Sequence, residues 1–305
     1  MRTTPLRLIE APTVQAAARD ARAPCAPFAD AERLGDIAAD ALAAELDTHP
    51  KPGLVSPIDN GSHDDMDYAT FQRSIAALRP FYAAFAVAGA AGAGMDELRG
   101  IGQRAEDAML AATEGANTHR GAIFALGLLC AAAGATRTEE AAHGRRPPLS
   151  AWRLATMVGE RWGRDIMRGP IALNSHGSGA LRRFGAGGAR AEAAGGFPHA
   201  RTVGLPALRA GRALAGEDMA RVHAFFALMA AMEDTNLLHR GGTDGLRDAR
   251  LAARDFLAAG GVGRHDWRDH AMAVHRNFVA RKLSPGGSAD LLTVTIFLDR
   301  LEREP

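Results

Sequence analysis

The chain has 305 residues, 47% of them hydrophobic and 23% charged; that excludes wholesale disorder and allows one large domain or two ordinary ones. Lys and Arg (36) nearly balance Asp and Glu (35), so the basic excess that marks a general nucleic-acid binder is missing. The two cysteines, Cys25 and Cys130, build neither a disulfide framework nor a cysteine-rich zinc site, and fit a reducing cytoplasm.

Residues 1–28 are rich in Ala, Pro and Arg and read as a poorly ordered tail, with Pro5, Arg7 and Glu10 interrupting any signal-peptide core. From Asp30 the pattern is helical. Leu34, Ile37, Ala38, Ala41 and Leu42 recur at amphipathic spacing, as do Phe71, Ile75, Leu78, Tyr82 and Phe85, and then Leu98, Ile101, Ala105 and Met109. Thr118 is expected to cap a helix that stops at Gly134, followed by an exposed loop over 134–149. Ser150 caps a helix over Trp152–Arg168, ended by Gly169-Pro170. A glycine-rich loop over 169–196 follows and is a candidate lid. Further helices are expected over Glu217–Leu238, Asp244–Ala259, Asp266–Arg281 and Ser288–Arg300. Strand patterns are nearly absent, so residues 29–305 read as one all-α domain. The most apolar runs, Phe81–Gly94 and Ala122–Gly134, are shorter than the ~20 residues of a spanning helix, and no membrane segment is expected.

Polar residues crowd the expected helix ends. Asp64, Asp65 and Asp67 lie within four residues, a density of oxygen ligands that suits Mg²⁺ and equally suits a solvated first turn. Glu114-Gly115-Ala116-Asn117-Thr118-His119-Arg120 opens an apolar helix, where free N–H groups and a guanidinium could cradle phosphate or simply cap the helix. Leu283-Ser284-Pro285-Gly286-Gly287-Ser288 opens the last helix with permissive backbone. All but two of the 36 basic residues are arginine; the two lysines, Lys51 and Lys282, both sit beside Pro-Gly turns. No GxGxxG, Walker A, GxSxG or HExxH pattern occurs, and His119, His176, His199 and His239 lack metal-ligand spacing.

Six segments occur in order: Pro50-Lys51-Pro52-Gly53-Leu54-Val55, Asn60 through Asp67, Asn117 through Phe124, Gly195-Gly196-Phe197-Pro198, Asp234-Thr235-Asn236, and Ser284 through Leu292. Together they resemble the triphosphoribosyl-dephospho-coenzyme A synthase family from about Asp30 to the C-terminus. Val55-Ser56-Pro57 is more similar to the malonate decarboxylase branch than to the citrate lyase branch, which tends to carry Asp after that valine. Glu114 stands where the family is expected to carry glycine.

The resemblance implies an all-α transferase that joins ATP to 3′-dephospho-coenzyme A and releases adenine. The adduct goes to an acyl carrier protein transferase as a prosthetic-group precursor. An α-linked product from β-configured ATP implies one inverting displacement, with a base for the 2′-hydroxyl and help for adenine departure. On this resemblance Asp65, Asp67 and Asp64 are expected to hold Mg²⁺ on the triphosphate. Lys51, Arg120, Gly286, Gly287 and Ser288 are expected to meet phosphates. Gly53, Asn60, His63, Asn117, Thr118, His119, Arg190, Asn236 and Arg240 are expected to line the substrate site. Glu106, Glu192 and Asp234 are the candidate base and oxocarbenium stabiliser, with the choice among them open. Neither a nucleic acid nor a membrane is an expected partner, and a homo-oligomer is left open.

Other classes fit part of the pattern. Asp64-Asp65-Met66-Asp67 is similar to the aspartate-rich motif of all-α isoprenoid synthases, but a second such motif is missing. A magnesium-dependent all-α ADP-ribosyl hydrolase also cleaves at an anomeric ribose carbon. A helical scaffold protein of the decarboxylase assembly is the non-enzymatic alternative.

Overall fold

A computed structural model of the chain describes residues 26–170, 179 and 182–304; the expected tail up to residue 25, His176 and residues 171–178, 180 and 181 of the candidate lid lie outside them. Eleven α-helices carry labels here: α1 (Ala26–Leu46), α2 (Tyr68–Ala90), α3 (Met95–Ala112), α4 (Arg120–Ala142), α5 (Ala151–Arg168), α6 (Gly188–Ala194), α7 (Leu205–Ala215), α8 (Glu217–Ala231), α9 (Thr235–Ala258), α10 (Trp267–Ala280) and α11 (Gly286–Arg303). The described residues contain no strand, so the expected all-α class stands.

Two helices organise the packing. α4 touches α1, α2, α3, α5 and α11, and α11 touches α1, α4, α7, α8 and α9. α4 is long and apolar enough to cross a membrane by length and composition, but 78% of its most apolar window is buried inside the bundle, as befits a core helix. Small residues let α2 lie close against it. A Cβ on Gly89 would run into the Ala131 backbone, and one on Gly134 into the Ala86 carbonyl. Gly134 is therefore a contact glycine, not the expected stop. α4 continues to Ala142, and most of the expected 134–149 loop is helix.

Other boundaries also move. α1 begins at Ala26, inside the expected tail, with Pro27 in its first turn, where a missing N–H costs nothing. The expected Glu217–Leu238 helix breaks after Ala231, because the Asp234 side chain accepts the N–H groups of Asn236 and Leu237 and starts a new helix. The break expected before Asp244 is a bend at Gly242 (φ 62°, ψ −161°) within α9. The segment 197–216, to which the sequence pattern assigns no particular element, holds a π-helical turn, Ala200–Gly204, that leads into α7. Ser150 caps α5 as expected, accepting from the Arg153 N–H.

Candidate active site

Three helix N-termini meet at one end of the bundle. Each leaves N–H groups without an intrahelical acceptor and carries the positive end of its helix dipole. Those of α9 and α11 are stapled by Asp234. One of its oxygens accepts from Asn236 N–H (2.9 Å) and Leu237 N–H (3.3 Å), the other from Ser288 N–H (2.8 Å) and Ser288 Oγ (2.9 Å). The close approach requires glycine: a Cβ on Gly286 would lie 2.6 Å from the Asn236 amide nitrogen, and one on Gly287 3.2 Å from the Asp234 carboxylate. This revises three expectations. With four donors on its four acceptor positions and 1% exposure, Asp234 is a structural staple with no lone pair left for a base. Ser288 is buried and spends its hydroxyl on that staple. The two glycines are retained for helix approach, while their own N–H groups have no acceptor within α11.

α4 supplies the third N-terminus. Its Ala122 N–H donates to Asp290, one turn into α11, and any side chain on Gly121 would collide with that carboxylate. Burial, then the charges of Glu45 and Asp234, push the Asp290 carboxyl well above the usual carboxylate range; the Ala122 N–H pulls it partly back. Beneath it, Lys51 Nζ donates to Glu45 Oε1 at 2.6 Å, both side chains 5% exposed or less. Burial lowers the Lys51 pKa and raises that of Glu45. Lys51 is thus not open to a phosphate, contrary to expectation.

At the α4 cap, His119 Nδ1 pairs with Ser74 Oγ (2.7 Å), and Thr118 Oγ1 donates to the same Ser74 oxygen (2.8 Å) in place of capping. Asn117 takes the capping role through Oδ1, accepting the Arg120 N–H at 3.3 Å. Burial pushes the His119 pKa down to about 3, so the ring is neutral; its Nε2 is buried with no partner among the described residues. Arg120 and Glu106 form an ion pair, each side chain partly exposed. The structure thereby joins two residues the sequence named separately.

The 47–66 loop closes the other side. Ser62 Oγ donates to the Leu283 carbonyl (2.6 Å), His275 Nε2 lies 3.2 Å from Asp59, and buried Gly53 (φ 72°) presses on the Leu283 carbonyl. Gly53 is therefore a glycine that lets the loop pack this closely, and it is buried in that contact. His63 Nε2 meets Ser284 Oγ at 2.9 Å, while Arg240 reaches the Ser62 and Lys282 carbonyls and His63 Nδ1, all at 3.3 Å. Burial and the Arg240 charge hold His63 down to about 4, neutral near pH 7. Asn60 is exposed on the loop.

The three aspartates diverge. Asp64 holds Lys282 Nζ at 2.8 Å, and Asp67 caps α2 through the Thr70 N–H (2.8 Å) and hydroxyl. Asp65 is 67% exposed with His63 Nδ1 3.7 Å away. No group of three His, Cys, Asp or Glu among the described residues is placed to hold a metal ion. The donor set does not fit a resident Mg²⁺ cage; an ion arriving on a triphosphate needs only one or two protein carboxylates, and Asp65 is the one not engaged by a lysine or a cap.

Two expected site residues belong to other structure. Glu192 accepts the His199 N–H (2.8 Å) and faces His199 Nδ1 (2.7 Å). Arg190 clamps the C-terminus of α5, donating to the carbonyls of Ile166, Met167, Gly169 and Pro170. The Gly195-Gly196-Phe197-Pro198 segment likewise packs α6 on α5, with Phe197 1% exposed. Conversely, Glu45, Ser74, His275 and Asp290 were not singled out by sequence reasoning. Only Asp290 lay within a quoted motif; the others sit in ordinary helical patterns with no local signal.

Glu114 adopts φ 56°, the left-handed conformation that the glycine expected at this position would allow. Glu114→Gly is expected to stabilise the fold by about 1 kcal/mol, since an L-residue there costs ~1–2 kcal/mol and glycine offsets part of the gain in unfolded-state entropy. A lower urea midpoint for the variant would contradict this.

Comparison with known proteins gives one consistent result. The CitG family model, ATP:dephospho-CoA triphosphoribosyl transferase, matches residues 31–305. A protein of Acinetobacter calcoaceticus named "Probable 2-(5''-triphosphoribosyl)-3'-dephosphocoenzyme-A synthase" is 39% identical over 90% of this chain and 92% of its own. Proteins of the same name from Stutzerimonas stutzeri (42%; 89% of this chain, 92% of the relative) and Pseudomonas aeruginosa UCBPP-PA14 (43%; 88% and 91%) agree. No solved structure gives a significant match.

Proposed function

The chain belongs to the ATP:dephospho-CoA triphosphoribosyl transferase family, and on that premise we propose that the end of the bundle where α4, α9 and α11 meet is where ATP and 3′-dephospho-coenzyme A react. The observation that carries this reading is the convergence there of segments far apart in sequence: 60–67, 117–122, 234–240 and 284–290, tied by Ser288 to Asp234, His63 to Ser284 and Ala122 to Asp290. Converging N-termini favour a polyanion, and the free N–H groups of Gly286 and Gly287, with Arg240 and Arg120, are the donors for the triphosphate. Mg²⁺ enters as part of the ATP substrate, with Asp65 as its protein contact.

The chemistry is one in-line displacement at C1′ of the ATP ribose. The acceptor's 2′-oxygen attacks, the bond to adenine breaks, and positive charge spreads over C1′ and the ring oxygen. Glu106, held beside Arg120, is the candidate carboxylate for that charge among those the sequence named. The Val55-Ser56-Pro57 turn supports malonate decarboxylase as the enzyme whose acyl carrier protein receives the product, through a separate transferase.

The purified protein with ATP, 3′-dephospho-coenzyme A and Mg²⁺ is expected to release adenine only when both substrates are present, in step with a triphosphoribosyl adduct detected by mass. Adenine without adduct would support the hydrolase class instead. No adenine from folded protein would refute the reading.

A further inference from the structure

We propose that Asp290 is the general base of the reaction, accepting the acceptor's 2′-hydroxyl proton from its seat between the N-termini of α4 and α11. This inference rests on the transferase reading above and adds a residue to it.

Most carboxylates at this end of the bundle are already engaged, Asp59 by His275 among them. Glu45 is held by Lys51, Glu106 by Arg120, Asp64 by Lys282, and Asp234 by four donors. Glu192, on α6, is held by His199. Asp65 and Asp67 stand at the exposed loop, the latter spent on a cap. Asp290 has one donor, the Ala122 N–H, and no cation against it among the described residues. It therefore retains acceptor positions for a substrate hydroxyl. It is not sealed off, since the residue keeps part of its surface open to solvent. Gly121 makes room for the carboxylate, as a side chain there would occupy its place.

The surroundings make Asp290 a stronger base than an ordinary carboxylate. The α4 N-terminus and its N–H favour the charged carboxylate, while burial and the neighbouring Glu45 and Asp234 raise its proton affinity above that of an ordinary Asp. The titratable groups facing it are Glu45 from α1, Tyr82 from α2 and Asp234 before α9, with Lys51 locked on Glu45. His119, at the head of α4, is already neutral.

In the step, an Asp290 oxygen takes the 2′-hydroxyl proton as the 2′-oxygen forms its bond to C1′ and the C1′–N9 bond breaks. The N9 bonding pair departs with adenine, which takes up one proton from solvent. Asp290 returns its proton to solvent before the next turnover. Atoms and charge balance without another reactant.

Asp290→Asn preserves shape and removes the base. Turnover is expected to fall ~10²–10⁴-fold, while ATP affinity and thermal midpoint stay close to wild type. The acid limb of the kcat–pH profile should vanish from the residual activity. A second variant guards against a purely structural effect: Asp290→Ala should recover turnover in added formate, a small carboxylate that fits the vacated space. Turnover of Asp290→Asn within about tenfold of wild type, or folded, ATP-binding Asp290→Ala with no formate response, would overturn the assignment. Failure of the transferase reading looks different, because wild-type protein would then release no adenine.

Discussion

Replacing Lys51 by methionine is expected to cost about 3–5 kcal/mol of stability, the price of leaving Glu45 charged and unpaired inside the bundle. That is a large share of the ~5–15 kcal/mol that holds a typical domain folded. Both partners are buried and joined by one short hydrogen bond, so neither water nor another cation can replace the lysine. The double variant Glu45→Leu/Lys51→Met removes both charges and should recover most of the loss, as apolar replacements of buried pairs commonly do. Arginine is no substitute, because a planar guanidinium needs several acceptors where this site offers a single carboxylate oxygen. In a chain whose other basic residues are arginine except Lys282, that explains one retained lysine. Urea denaturation of the three variants gives the answer, and a wild-type midpoint for Lys51→Met would contradict it.

The second large effect is expected at Gly134. Helix propensity alone predicts that Gly134→Ala gains about 1 kcal/mol, since alanine is the best helix former. The tertiary contact predicts the opposite sign. The added methyl would meet the Ala86 carbonyl of α2, a backbone atom that cannot rotate away, so α2 and α4 would have to separate. Overpacking of this kind costs typically 1–3 kcal/mol and occasionally more, and here it also strips apolar contact along the central helix pair. A net loss of ~2 kcal/mol or more is expected in the same denaturation experiment. Stabilisation would mean that the helices are less closely seated than described. Gly89→Ala, which meets the Ala131 backbone from the opposite side, should behave alike.

These two positions show where sequence reading succeeds and where it stops. The helix code was legible because burial of one face imposes a 3.6-residue period within a single segment: α2, α3, α5, α10 and α11 lie where that period places them. The same reasoning misplaced the end of α4, since a glycine that ends a helix and a glycine that admits a neighbouring helix look alike in one dimension. It also carried α8 through Asp234, because Met232 keeps the apolar period going while the cap that breaks it is a single side chain.

For the site, the motif-bearing segments were identifiable as runs of polar residues and glycine at helix ends, and their order along the chain was enough to indicate the family. By itself the sequence determined the all-α class, the approximate helices and the transferase family, all of which rest on local patterns or on consecutive residues. Tertiary structure alone decided the state of each acid and base. Glu45 closes on Lys51, Asp234 on Ser288, Glu192 on His199 and Arg190 on the end of α5, while among the described residues Asp290 meets only the Ala122 N–H. A carboxylate's chemistry depends on its donors, its cations and its distance from water. In this fold most of those lie on other helices, tens to hundreds of residues away along the chain.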